Sequence, residues 1–175
     1  MHVVLCILMM AAMAVSGQTE VALSQEVQKV AEMPELKGLE ADFVQVKTSA
    51  LFAEPEQSKG HLTYRQPDYL RWEYTSPQTI VWEVDGAKDN VNPQIRQIVL
   101  LILKTINGNY LQPNNDFNVS WDGETAILTP KRRELKQMFS RISIRLNAKT
   151  GIADEVILYE QSGDETQIRF LNVVK

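Results

Sequence analysis

Residues 64–77 read YRQPDYLRWEYTSP, a stretch that holds four aromatic rings, two arginines and two prolines. A strand buried on both faces would exclude Arg65, Arg71 and Glu73, and one exposed on both faces would not carry Tyr64, Leu70, Trp72 and Tyr74. Alternation resolves the conflict. Leu70, Trp72 and Tyr74 fall on one face of an extended segment and Arg71, Glu73 and Thr75 on the other, the period-two pattern of a half-buried strand. Pro67-Asp68 and Ser76-Pro77 bound it as turns. The apolar face is either an ordinary core or the wall of a ligand cavity.

Working outward, Ala41–Lys47 reads as a strand and Gly60–Arg65 as its hairpin partner, with 53–58 a polar loop between them. Gln78–Val84 follows, closed by an Asp85-Gly86 turn. So tight a succession requires antiparallel pairing, because a parallel crossover needs a dozen or more residues. The pattern then switches to NPQIRQIVLLILKTINGN, residues 92–109: Asn92 caps, Pro93 fits the first helical position and Gly108 ends the run. Ile95, Ile98, Val99, Ile102 and Ile106 make one helical stripe, which Leu100, Leu101 and Leu103 widen most of the way round. Such a helix must be covered on more than one side or must itself cover something apolar. Strands return at 117–121, 126–129, 138–146, 152–160 and 166–174, with turns at Asp122-Gly123, Lys149-Thr150-Gly151 and Ser162-Gly163-Asp164. Lys131-Arg132-Arg133, the densest basic spot, reads as a solvated turn. Near the start, Ser24 caps a short helix that Pro34 ends. The fold class is therefore mainly β with α: one β-rich domain with an apolar helix inserted in the middle.

With 175 residues, 44% hydrophobic and 23% charged, the chain fits a globular domain rather than a disordered one. A net charge of −4 leaves no electrostatic footprint for nucleic acid. The first seventeen residues, MHVVLCILMMAAMAVSG, carry no Lys, Arg, Asp or Glu and pass from an apolar run, Val3–Val15, to a small-residue site at Ala14 and Ser16. That segment, 1–17, is expected to be a signal peptide and 18–175 the exported domain. Cys6, the only cysteine, would leave with it, so the mature chain must rely on its core rather than on disulfides.

Chemistry is sparse. Beyond the leader the chain has one histidine, His61, which is expected at the surface, and no cysteine, so nucleophilic triads and zinc sites lack their residues. No phosphate loop or GxSxG occurs. Carboxylates such as Asp85, Asp122, Glu155 and Asp164 are read as lying in turns and on wet faces. No enzyme activity, cofactor or metal is expected. The residues leave two readings open: an ordinary core, or apolar binding in a cavity with Leu62, Tyr64, Leu70, Trp72, Tyr74 and Trp82 as the sheet wall and Ile95, Ile98, Val99, Ile102 and Ile106 as a covering helix.

Several stretches resemble the LolA family of periplasmic lipoprotein carriers: LEADFVQVK at 39–47, GHLTYRQPDYLRWEYTSP at 60–77, NPQIRQIVLLILKTINGNYL at 92–111 and AILTPKRRELKQMFSRISIRL at 126–146. The resemblance implies an open, incomplete antiparallel β-barrel with a helical lid over a hydrophobic cavity. It implies a non-catalytic periplasmic carrier, expected as a monomer, that takes acylated lipoproteins from an inner-membrane ABC transporter to an outer-membrane acceptor. Leu70 and Trp72 match cavity-facing positions, Ile95 to Ile106 a lid helix, and Phe43 with Gln45 a structural F-x-Q pattern. The chain departs from the family where an arginine that controls the lid is expected: Gln66 stands there, with Arg71 the candidate substitute. The segment 87–91 is shorter than usual, and Lys175 follows the last strand without the tail of many members. A binding module of the same fold for another lipid or a glycolipid is the alternative.

Overall fold

The computed structural model describes residues 37–67, 69–85, 100, 101, 104, 111, 114–147 and 149–175. In chain order the elements are β1 (Gly38–Thr48), β2 (Glu56–Arg65), β3 (Tyr69–Ser76), β4 (Ile80–Asp85), β5 (Phe117–Asp122), β6 (Thr125–Pro130), α1 (Arg133–Met138), β7 (Phe139–Leu146), β8 (Ala153–Glu160) and β9 (Glu165–Val174). The strands form one antiparallel sheet in the order β4-β3-β2-β1-β9-β8-β7-β6-β5. Strands β4 and β5 are consecutive in the chain yet stand at opposite edges. No pairing joins them among the described residues, so the sheet is open.

Two meanders build this order. Local connections join β1 to β4 on one side and β5 to β9 on the other, helix α1 lying between β6 and β7, with Gly123 at φ +59° and Gly163 at φ +91° supplying left-handed backbone in the expected hairpin turns. The seam between the meanders is the long-range pair of β1 with β9, in which Phe43 faces Phe170 and Gln45 faces Ile168.

Alternation assigns the faces. Register places Leu62 opposite Trp72, Trp72 opposite Trp82, Leu70 opposite Val84 and Ile142 opposite Leu158, all on one side of the sheet. The other side carries ion pairs such as Arg71 with Glu73 and Glu83. Trp72 and Phe170 stand three strands apart, about 14 Å between backbones in a flat sheet, yet their ring centroids are 6.4 Å apart, so the apolar face is concave. Gly60 makes room within it. A Cβ there would collide with the Glu73 carbonyl oxygen and the Phe43 ring, and the β2–β3 register shifts between Lys59 and Gly60.

Three expectations are corrected. Residues 56–58, read as loop, are strand: polar side chains on both faces hid it because the β1–β2 hairpin runs past the end of β3 and is wet on both sides. The segment from Arg133, read as part of a basic turn, is helix α1, which buries no residue fully and so carries no apolar stripe to announce it. Glu155, read as standing on a wet face, is 9% exposed because Gln167 donates to it at 2.7 Å and Arg169 at 3.0 Å, with Arg145 at 3.7 Å. His61 is partly exposed on the outer face as expected, its Nδ1 3.0 Å from Asp42 Oδ1.

The leader 1–17 and the helix begun by Ser24 lie outside the described residues, as do Ile95, Ile98, Val99, Ile102 and Ile106. Within that second stretch Leu100, Leu101 and Lys104 are helical; Leu101 is buried and Leu100 packs against the core.

Candidate functional site

Along β1 the inward residues run Leu39, Ala41, Phe43, Gln45, Lys47. The first three are buried in the core and the last two are only partly buried. Along β8 the same row runs Val156, Leu158, Glu160. The apolar face thus turns polar, without changing phase, toward one end of the sheet. There the core opens into a cavity of about 480 Å³.

Its floor is aromatic and aliphatic: Trp72 and Tyr74 from β3, Trp82 from β4, Leu158 from β8 and Ile168 from β9. Met138 and Phe139, where α1 passes into β7, form the wall across from Trp82. That β4 and β7 line one cavity although five strands separate them in the sheet follows from the concavity. The mouth is polar, with Lys47, Gln137, Glu160, Ser162 and Thr166. Lys47 Nζ lies 3.6 Å from Glu160 and 3.7 Å from Asp164, and Thr166 donates to Glu160 at 3.4 Å.

Aromatic packing fixes the floor. Phe43 tilts over Trp72 at 4.3 Å between centroids and meets Tyr74 edge-on at 5.3 Å, and Tyr74 meets Trp82 edge-on at 5.2 Å. Each such pair contributes about 0.5–1.5 kcal/mol beyond its buried area. The Tyr74 hydroxyl donates to Gln45 Oε1 at 2.9 Å. Burial pushes the Tyr74 phenol above its ordinary value, against the opposing pull of the nearby Trp72 N–H and of Gln45, so it stays a neutral donor at neutral pH. Trp72 Nε1 is itself buried without hydrogen-bond geometry to any partner among the described residues. The cavity offers shape, apolar surface and a few polar anchors, the makings of a binding site for an amphiphile. Among the described residues no cluster of metal-binding side chains occurs.

Of the residues expected to bind ligand, Trp72, Tyr74 and Trp82 line this cavity. Leu62, Tyr64 and Leu70 share their face but are buried in the adjoining core. Gln66 is exposed in the β2–β3 turn at the opposite end of the sheet, its backbone N–H donating to Lys37 O at 2.9 Å. Arg71 is on the outer face, 3.0 Å from Glu73 and 3.5 Å from Glu83. The expected covering helix lies outside the described residues, but Leu100, Leu101 and Lys104 border a smaller cavity of about 240 Å³ together with Leu135 and Met138 of α1. Met138 therefore faces both spaces. Sequence reasoning missed Met138, Leu158 and Ile168, whose apolar character is no different from that of the core around them. The signal that could have found them is the row itself, where Gln45, Lys47 and Glu160 continue the inward phase of strands otherwise apolar on that face.

A family model described as outer membrane lipoprotein carrier protein LolA matches residues 34–175. The outer-membrane lipoprotein carrier protein of Serratia proteamaculans is 30% identical over 109 residues, 57% of this chain and 54% of that protein. The chain thus spans about half the length of that relative. The crystal structure of MucB superposes with a TM-score of 0.52 at 14% identity, covering 88% of this chain and 58% of that one, which is a likeness of fold. A LolA superfamily protein from Nitrosomonas europaea matches with a TM-score of 0.41 at 7% identity over 89% of this chain and 92% of its own.

Proposed function

We propose that this chain, which belongs to the LolA family, is a non-catalytic carrier that holds the acyl chains of lipoproteins in the cavity floored by Trp72, Tyr74 and Trp82. The observation that carries the reading is a concave apolar face that remains open at one end, where its residues turn polar in register. The volume falls within the roughly 300–1,000 Å³ of small-molecule sites. Each acyl methylene moved from water to such a surface gains about 0.8 kcal/mol, so an acylated protein does not cross an aqueous compartment unshielded at a useful rate.

A lid belongs to this reading. Strands β4 and β5 stand at opposite edges of the sheet, and the chain between them is the stretch that would cover the cavity. Ile95, Ile98, Val99, Ile102 and Ile106 would supply the lid's apolar side. Gln66 and Arg71, the candidates for control of that lid, do not line the cavity. The leader 1–17 would send the domain to the periplasm, where an inner-membrane lipoprotein-releasing ABC transporter would load it and an outer-membrane acceptor would unload it.

Copurification with one lipoprotein, acylated or carrying a substituted lipidation cysteine, tests the reading. Soluble complexes should form only with the acylated form; complexes indifferent to acylation would refute it. The charged mouth, Lys47 with Glu160, favours a second reading in which the cargo is a free lipid or glycolipid with a polar head. Native mass spectrometry of the bound species separates the two.

A further inference from the structure

The β1–β2 hairpin projects beyond its neighbour β3, whose last pair is Lys59 with Ser76, while β1 and β2 stay paired out to Lys47 and Glu56. At its tip Leu51 is 87% exposed and Phe52 46% exposed. The exposure is built in. Ser49 is buried, its Oγ accepts from the Leu51 N–H at 3.2 Å and its carbonyl from the Phe52 N–H at 3.2 Å. This turn holds the backbone while aiming two adjacent large apolar side chains at solvent. Lys47, which lines the cavity mouth, precedes Leu51 by four residues, so the tip stands within roughly 13 Å of the mouth along the chain.

We propose that Leu51 and Phe52 form a membrane-inserting tip that seats the cavity mouth against a lipid bilayer, so that cargo passes between cavity and membrane on contact rather than through free solution. Two side chains flanked by Ala50, Ala53, Glu54 and Glu56 offer far too little continuous apolar area for a stable protein interface, which needs on the order of 1,000 Å². A bilayer interface asks for less, because it accepts single apolar side chains to whatever depth they reach. Glu54 and Glu56 at the base of the tip oppose anionic headgroups, so the surface that fits is a zwitterionic one. The purpose of the contact rests on the carrier reading above, but its test does not.

The test uses the purified protein with phosphatidylcholine vesicles, with and without phosphatidylglycerol. In Leu51→Trp, the new indole should shift its emission to the blue on adding vesicles and be quenched by brominated phosphatidylcholine. The double variant Leu51→Ser, Phe52→Ser should cosediment with vesicles at least about tenfold more weakly than the unmodified protein, while binding the apolar probe N-phenylnaphthylamine in solution unchanged. An L51W emission indifferent to vesicles, a double variant that cosediments as well as the unmodified protein, or binding governed by phosphatidylglycerol rather than by the tip would overturn the proposal. Failure of every form to bind the probe would instead count against the cavity reading and leave the vesicle results to decide the tip.

Discussion

Placing a carboxyl at position 70 distinguishes core from cavity wall. Leu70 is 1% exposed, sits between Tyr64 and Val84 in the cross-strand register, and does not border the cavity. Leu70→Glu loses about 2–3 kcal/mol of apolar burial and adds about 1–3 kcal/mol for a polar group without a partner. The sum, about 3–6 kcal/mol, rivals the whole stability of many domains, about 5–15 kcal/mol. The carboxyl would take up a proton to enter this site, so its folded pKa lies above the unfolded one. Such a group costs least below the unfolded value and its penalty grows as pH rises. Urea denaturation followed by circular dichroism should therefore show L70E unfolded or barely folded at neutral pH and partly recovered near pH 4. Trp82→Glu is the control, because Trp82 is half-buried on the cavity wall and a carboxylate there can reach water through the mouth. It should stay folded and lose binding of an apolar probe. The reasoning is refuted if L70E keeps the unfolding midpoint of the unmodified protein and loses only probe binding, since position 70 would then face open space.

Gly60→Ala should destabilise by about 1–3 kcal/mol, as overpacking against the Phe43 ring and the Glu73 carbonyl demands; an unchanged urea midpoint would count against the tight approach of β2 to β1. Asp42 is held below its ordinary carboxylate value first by the Asn172 side chain and then by His61. Its depressed pKa gives stability that is present above the unfolded value of about 3.8 and lost as pH falls through the folded one, so Asp42→Asn should flatten the acid limb of a stability–pH profile below about pH 4. Lys47→Met should change stability by less than about 1 kcal/mol, because its partners are long and partly exposed, while strengthening retention of an apolar probe at the mouth, measured as a slower off-rate.

The parts of the fold legible in the sequence are those governed by neighbours in the chain. Alternation in 69–75 and 142–146 gave both the strands and the inward face, and Asp122-Gly123 and Ser162-Gly163-Asp164 marked their turns. The β1–β9 seam was not legible, since Phe43 and Phe170 meet through a register that no local pattern encodes. Helix α1 escaped because a helix without a buried stripe has no hydrophobic period to show. The site was half legible. Trp72, Tyr74 and Trp82 stood out as aromatics in phase, but Leu62 and Leu70 share that phase and lie in the core. What separates wall from core is position along the strand.

The β1–β9 seam also sets a timetable for folding. Every other pairing in the sheet joins strands adjacent in the chain, so each meander can form as a local unit on its own. The seam alone joins residue 42 to residue 171, across nearly the whole domain. Until β9 has been made and brought against β1, Phe43 and Phe170 have no cross-strand partner over the seam and the concave face has no continuous floor. A chain that emerges N-terminus first therefore has no complete cavity until its last strand joins its first.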